Sequence, residues 1–296
     1  MPFNMLEVVS VASGVILFVI CLILIRREAM SQNALYQLDA ALERQAIEQF
    51  GKSNGFSLIE RITLIIPALN ECDNLKELLP RVPRHVNGET LGLLLIDDGS
   101  SDGTADLARS YDFTVVSTPQ RGQGAALRLG YRLAVLGKAE IVVIMDADGQ
   151  NRPEEIEGLI QPILADTADY VIGSRILGDF EKDDPMRRLG VRFFSPLTSF
   201  LTGTKITDCS SGFRAMKIQV LANIVGRLRQ RQYSMSELNF EVARSGFRIT
   251  EVPITFLKRY SGMSKKGHNL FYAFAFTRVI ISTWLRTMMR KRDAIL

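Results

Sequence analysis

The 296-residue sequence predicts an α/β fold built on a doubly wound, mostly parallel sheet. Short apolar runs rich in strand formers recur along it: Ile62–Ile66, Leu91–Ile96, Ile141–Met145 and Tyr170–Ile172. Stretches with helical spacing separate these runs, and that alternation builds parallel sheets. Three of the runs end in polar clusters, namely Asn70/Glu71, Asp97/Asp98 and Asp146/Asp148. Ligands of open α/β sheets bind at the carboxyl ends of strands, so the three clusters are expected to share one edge.

Taken in order, Ile62–Ile66 is the first strand, ended by Pro67, and Asn74 begins a helix with Leu75, Leu78 and Leu79 on one face. Leu91–Ile96 is the second strand. Ser101-Asp-Gly-Thr104 starts a helix, with Asp and Thr able to cap it. Val115-Val116 is a short third strand, and Gly122-Gln-Gly124 opens a helix through Val135. This Gly-x-Gly lacks the third glycine of a dinucleotide fingerprint and follows the third strand, so it reads as a flexible helix start. Ile141–Met145 is the fourth strand. Pro153 with Glu154 and Glu155 fits a helix start and its dipole. The fifth strand, Tyr170–Ile172, ends in Gly173-Ser174-Arg175.

The net charge of +4 is too mild to indicate a nucleic-acid partner. The three cysteines (Cys21, Cys72, Cys209) are scattered and odd in number, which suits a reducing compartment. His85 and His268 are the only histidines, which argues against zinc sites and a Ser-His-Asp triad.

Val8–Ile25 carries no charge over 18 residues. As a helix it would span about 27 Å, close to the roughly 30 Å hydrocarbon core of a bilayer. No basic segment precedes it and no small-residue cleavage site follows, so it is not a signal peptide. Arg26 and Arg27 follow it, which places the amino terminus outside and the bulk of the chain in the cytoplasm. The expected organisation is a single-pass transmembrane anchor over 1–30, a juxtamembrane helix and linker over 31–55, a catalytic domain over 56–268, and an amphipathic membrane-associated helix over 269–296. Leu35, Leu38, Leu42 and Ala46 give the juxtamembrane helix its spacing, which is also compatible with the seam of a homo-oligomer; Gly51–Gly55 is its linker. Arg278 near the middle of the last helix disfavours a second span and fits a helix lying in the interface. Packing on the domain core is its alternative.

In extended backbone, positions i and i+2 project to one side, so Asp146 and Asp148 can converge. Two carboxylates and the Gln150 amide, without thiol or imidazole, suit a hard cation such as Mg²⁺ or Mn²⁺. A plain Asp/Gly turn closing the strand is the other reading of these residues.

Pro67-Ala-Leu-Asn-Glu71, Asp97-Asp-Gly-Ser100 and Asp146-Ala-Asp-Gly-Gln150, at these intervals, resemble the family-2 glycosyltransferases with a GT-A, Rossmann-like fold. Gly173-Ser-Arg175, Thr207-Asp-Cys-Ser-Ser-Gly-Phe-Arg214, Glu251-Val-Pro-Ile254 and Arg259-Tyr-Ser-Gly-Met-Ser-Lys265 are similar to the branch of dolichyl- and polyprenyl-phosphate hexosyltransferases. The resemblance runs from Arg61 to Gly267 and implies roles by position. Pro67, Ala68, Glu71, Asp97, Asp98 and Asp146 would contact the nucleotide of a GDP- or UDP-sugar. Asp146, Asp148 and Gln150 would hold Mg²⁺ or Mn²⁺. Ser174 and Arg175, with the Arg187, Arg188 and Arg192 cluster, would face the phosphate of a polyprenyl phosphate. Arg259, Lys265 and Lys266 would form a lid. Asp208 would line the site, completing a catalytic set with Asp146, Asp148 and Arg175. Leu69 departs from the family's frequent Tyr, and the Gln-x-x-Arg-Trp motif of polymer synthases is absent, with Trp284 outside any such motif.

The expected activity is transfer of a hexose from a nucleotide sugar to polyprenyl phosphate, with inversion, on the cytoplasmic face. A phosphate monoester has a second pKa of about 6, so it needs positive charge and positioning more than a base. One alternative is a hydroxyl acceptor, with Asp208 or Glu237 as base. Another is a non-catalytic sugar-nucleotide-binding membrane protein.

Overall fold

A computed structural model describes residues 34–53, 55–180, 185–260 and 269–289. The expected anchor at Val8–Ile25 and the lid lysines Lys265 and Lys266 lie outside the described residues. Among the described residues no helix is long and apolar enough to cross a membrane. The chain divides into a unit of Met1–Ala41 and a unit of Leu42–Leu296. In the first, residues 34–41 are helical; the fold below belongs to the second.

Among the described residues eight strands form one sheet, in the order β2-β3-β1-β5-β7-β6-β8, with β4 also on β3. They are β1 (Ile62–Ala68), β2 (His85–Val86), β3 (Glu89–Asp97), β4 (Thr114–Ser117), β5 (Ile141–Ile144), β6 (Tyr170–Phe180), β7 (Arg214–Lys217) and β8 (Ile249–Phe256). The parallel expectation holds for β1 with β3 and β5, for β3 with β4, and for β6 with β8. The sheet is nevertheless mixed. β7 lies between β5 and β6 and runs antiparallel to both, and β2 pairs antiparallel with β3. The insertion matters for the site, because an antiparallel strand brings its start to the edge where its parallel neighbours end.

Pro67 does not end β1, which continues to Ala68. Ile65 C=O accepts from Met145 N–H on the β5 side, and residues two apart face the same way in a strand. The missing N–H of Pro67 therefore faces β5 just past the last paired residues, Ile65 and Ile144, where no ladder bond is lost.

Side-chain alternation divides the core in two. Ile65, Val142 and Ile144 point to one face, while Ile62, Leu64, Ile66, Ile141 and Val143 point to the other. Helix α4 (Gln123–Leu136) covers the first face with α7 (Ile218–Ile224) and α8 (Ser234–Arg244). Helices α2 (Cys72–Leu78), α3 (Thr104–Ser110) and α5 (Ile156–Leu164) cover the second. Burial of these aliphatic side chains, at about 25 cal/mol per Å² of apolar surface, drives the layering.

Three expectations change. Helix α1 (34–53) runs through Gly51, so the linker expected there is largely helical. Its inward face is Glu43, Ala46, Ile47 and Phe50, while Leu38 is exposed. Phe50 is buried beside Phe56, ring centroids 5.7 Å apart, which holds the end of the helix to the domain. Helix α9 (Asn269–Met289) packs on the domain core, the alternative reading of this segment. Phe276, Val279, Ile280, Thr283 and Thr287 form a buried stripe, and it packs against α8 and α6 (Pro185–Thr202). Arg278 and Met288 remain on its outward side.

Candidate active site

The polar clusters do share one edge. Ala68 stands beside Asp97 in the β1–β3 register, and Ile65 beside Ile144 in the β1–β5 register. The loops beyond are stitched together. Ser100 Oγ accepts from Asn70 N–H at 2.8 Å, Asn70 Oδ1 accepts from Ser101 N–H at 2.8 Å, and Asp102 Oδ2 accepts from Cys72 N–H at 3.0 Å. Asn70 adopts φ 49°, the left-handed conformation that asparagine tolerates.

The acids at this edge have separate tasks. Asp98 accepts from Arg121 N–H at 2.8 Å and Gly122 N–H at 2.7 Å, one on each carboxylate oxygen. Burial pushes its carboxyl up against these bonds. Asp98 therefore holds the 118–122 loop. Asp97 Oδ1 accepts from Ser100 N–H at 2.9 Å. Pro67 and Ala68 are buried within the strand, and Glu71, past its end, is buried as well.

Beyond β5, Asp146, Asp148 and Gln150 are half-buried while Ala147 and Gly149 are buried. The backbone here is a turn at 147–148 and not the extended spacing expected, with Asp148 Oδ1 accepting from Gln150 N–H at 3.2 Å. Gln123, at the start of α4, donates from Nε2 to Asp146 Oδ1 at 2.8 Å. Gln150 donates from Nε2 to Leu257 C=O at 3.2 Å, which orients its carboxamide. A Cβ at Gly212 would lie 2.2 Å from Asp146 Oδ2, so only glycine permits that close approach. Gly212 precedes β7, which begins beside the end of β5 because it is antiparallel.

Among the described residues no cluster of three or more His, Cys, Asp or Glu side chains is disposed to hold a metal. The donor set is instead two carboxylates and one carboxamide. That fits a small hard cation that completes its shell with water and substrate phosphates.

A strap leaves β8 and crosses this edge. Leu257 N–H donates to Gln150 C=O at 2.8 Å. Arg259 Nη2 donates to both oxygens of Glu71 at 2.6 Å. The Tyr260 ring covers Gly149, where a Cβ would meet it at 2.5 Å and where φ is +72°. Tyr260 Oη accepts from Arg81 Nη1 at 2.8 Å, and Arg81 forms two 2.9 Å bonds with Glu154. A pocket of about 640 Å³ lies beside the strap, lined by Arg81, Arg152, Glu154, Glu155 and residues 257–260. Arg259 is thus the expected lid residue that the described structure brings to the edge.

The expected phosphate-facing residues fare differently. Arg175 is buried and paired with Asp208: Nε donates to Oδ2 and Nη2 to Oδ1, each at 2.6 Å. Burial pushes the Asp208 carboxyl up, but the Arg175 charge and hydrogen bonds outweigh it and hold the carboxyl below the usual carboxylate range. Glu251 accepts from Thr207 N–H at 2.8 Å and Asp208 N–H at 3.0 Å, fixing that turn. Ser174 is buried, its hydroxyl 2.6 Å from Thr207 Oγ1. Arg175, Ser174 and Asp208 therefore belong to one buried, hydrogen-bonded wall.

Arg187 and Arg188 lie in the first turns of α6, and Arg192 is exposed on the side opposite buried Val191, Phe194, Ser195 and Thr198. Glu237 is buried and accepts from the N–H groups of Arg229 and Gln230 and from Arg286. Asp208 and Glu237, the two expected bases for a hydroxyl acceptor, are both committed to structural bonds. Gln123, Arg81, Tyr260 and Gly212 complete the edge without a role assigned to them in the sequence; Gln123 lies inside the Gly-x-Gly that reads as a flexible helix start, Tyr260 and Gly212 lie inside the 259–265 and 207–214 motifs, and Arg81 carries no sequence signal.

The family model for glycosyl transferase family 2 matches residues 63–225. The polyprenol monophosphomannose synthase of Mycolicibacterium smegmatis is 34% identical over 226 residues, covering 71% of this chain and 83% of that protein. The UDP-N-acetylglucosamine–dolichyl-phosphate N-acetylglucosaminyltransferase of Methanococcus voltae is 32% identical over 235 residues, covering 72% and 92%. Among solved structures, the glucosyl-3-phosphoglycerate synthase of Mycobacterium tuberculosis with Mn²⁺, UDP-glucose and glycerol 3-phosphate matches with TM-score 0.55 at 20% identity, covering 81% of this chain and 85% of that one. That likeness is one of fold.

Proposed function

We propose a reaction on one premise: this chain belongs to glycosyl transferase family 2. The reaction is transfer of a hexose from a GDP- or UDP-linked donor to a polyprenyl phosphate, with inversion at the anomeric carbon. The observation that carries it is the convergence of Glu71, Asp97, Asp146, Asp148, Gln150 and Arg259 on one sheet edge. The acceptor class is supported by relatives named for polyprenol, undecaprenyl-phosphate and dolichyl-phosphate substrates.

In this reading Glu71 and Asp97 orient the nucleoside. Asp146, Asp148 and Gln150 would hold Mg²⁺ or Mn²⁺, which when bound would supply Lewis-acid stabilisation of the leaving diphosphate. Gln123 and Gly212 fix the Asp146 carboxylate. Arg259 exchanges Glu71 for the diphosphate when the donor arrives, and its fork suits that anion. An acceptor phosphate oxygen attacks the anomeric carbon as the bond to the diphosphate breaks, and it needs no protein base. The engagement of both Asp208 and Glu237 in buried bonds favours this over a hydroxyl acceptor. We further assign residues 8–25 as a membrane anchor, with the catalytic unit on the cytoplasmic side.

The test is a panel of radiolabelled GDP- and UDP-sugars incubated with polyprenyl phosphate, with and without Mg²⁺ or Mn²⁺. One donor should give an EDTA-sensitive lipid-linked sugar. If none labels the lipid, the proposal fails.

A further inference from the structure

The carboxyl-terminal part of helix α1 carries a buried acid that none of this chemistry uses. Glu43 sits against three guanidinium groups, its side chain 1% exposed. Arg128 donates from Nε to Glu43 Oε1 at 2.7 Å, and its Nη2 lies 2.6 Å from the same oxygen. Arg132 Nε lies 3.0 Å from Oε2, and Arg121 Nη1 lies 3.6 Å from Oε1. Arg128 and Arg121 are themselves buried. Such a cluster is costly to desolvate and weak as a stabiliser, so its placement is the informative feature.

Arg121 and Arg128 lead to the donor edge by short paths of backbone and hydrogen bonds. Arg121 is the residue whose N–H is held by Asp98, and its Nη2 donates to Thr118 Oγ1 at 3.2 Å. Thr118 N–H in turn donates to the carbonyl of Asp97 at 2.9 Å. Arg128 lies on α4, the helix that starts with Gln123, whose amide holds Asp146. The start of α4 has no slack, since Cβ atoms at Gly122 and Gly124 would meet the carbonyls of Arg231 and Gln230 at 2.8 and 2.1 Å. One carboxylate thus faces side chains of both the loop beside Asp97, which Asp98 also holds, and the helix that aims Gln123.

We infer that Glu43 is a positioning residue for the donor site, acting through Arg121 and Arg128 on Asp97 and Asp146. Residues 42–53 of helix α1 are then part of the catalytic unit and more than a tether. The inference rests on the proposed nucleotide-sugar reaction.

The experiment compares wild type with Glu43→Gln in the full chain. It reads the Kd of UDP and GDP with Mn²⁺ by calorimetry, and the KM and kcat of transfer. Asp169→Asn is the stability control, because it loosens the Lys217/Arg248 network at the opposite edge of the sheet. Glu43→Gln should weaken nucleoside diphosphate binding and raise donor KM about tenfold, leaving the acceptor KM unchanged. Asp169→Asn should lower Tm without moving either constant. If Glu43→Gln does not fold, Glu43→Gln with Arg128→Met, which removes the charge of both partners, is read for the same shift. Unchanged binding by the readable variant overturns the inference while the reaction stands. A wild type that binds neither nucleotide overturns the reaction, and the inference with it.

Discussion

Arg259 and Glu71 are 188 residues apart in sequence, yet Arg259 Nη2 lies 2.6 Å from both oxygens of the Glu71 carboxylate. The pair ties the strap after β8 to the rim of the loop after β1. A carboxylate here occupies the guanidinium that the proposed reaction assigns to the leaving diphosphate. Both side chains are largely shielded, 17% and 10% exposed, so the exchange swaps one desolvated ion pair for another. Arg259→Met should then lower kcat about 10²-fold, in line with the loss of one preorganised donor to a developing anion. Arg259→Lys should recover only part of it, because an ammonium lacks the fork. Steady-state kinetics with saturating donor measures both. Equal rates for Lys and Arg would show that charge alone matters.

Gly212 tests the same edge from the other side. A Cβ there would lie 2.2 Å from Asp146 Oδ2 and 2.6 Å from its Cγ. Gly212→Ala must displace that carboxylate or the loop that carries it. The expected result is a rise in the Mn²⁺ concentration for half-maximal activity of about tenfold or more, the scale seen when the surroundings of a metal ligand are disturbed. A titration of activity against Mn²⁺ would show it, and an unchanged midpoint would place Asp146 outside the cation seat.

The edge itself was legible in the sequence because it depends on local rules. Apolar runs closed by acids mark strand ends, and the strands β1, β3 and β5 are parallel neighbours, so the acids meet. What local pattern does not encode is pairing across the chain. Nothing local pairs Arg175 with Asp208: β7 enters antiparallel between β5 and β6, and the turn before it places Asp208 against Arg175. Asp97 and Asp98 look equivalent in sequence; they differ because Asp98 alone reaches the N–H groups of Arg121 and Gly122. The inward face of α1 is legible only in part for a related reason: the apolar spacing Leu35, Leu38, Leu42 and Ala46 includes Ala46 of that face, but Glu43 is an acid and falls outside any apolar pattern.

The Arg175–Asp208 pair makes an acid-dependent contribution to stability whose sign is fixed by its geometry. Its folded pKa is depressed, relative to about 3.9 for an unfolded aspartate. Its contribution is therefore present above about pH 4 and is lost as pH falls through the folded value. Asp208→Asn leaves Arg175 buried without its counter-charge, at a cost of about 3–5 kcal/mol. Urea denaturation across pH should show the wild-type and Asp208→Asn curves converging below pH ~4. Parallel curves down to low pH would mean that the pair contributes nothing through ionisation.

That cost alters how the acceptor is to be distinguished. Inactivity of Asp208→Asn does not identify a base, because the substitution also undermines the wall formed by Arg175, Ser210 and Glu251. The pH dependence of transfer does distinguish the two acceptors. A phosphate nucleophile gains its second charge near pH ~6, so kcat/KM for the lipid should rise through that region and then level. The same midpoint should persist in Asp146→Asn at a rate about 10²–10³-fold lower, since that variant weakens stabilisation of the leaving group and not ionisation of the acceptor. A hydroxyl acceptor would instead titrate with a protein carboxyl and lose its profile in the variant that removes it. A pH–rate series on wild type, Asp146→Asn and Glu237→Gln, each corrected for folded fraction, decides between them: a midpoint that follows a protein side chain rules out the phosphate.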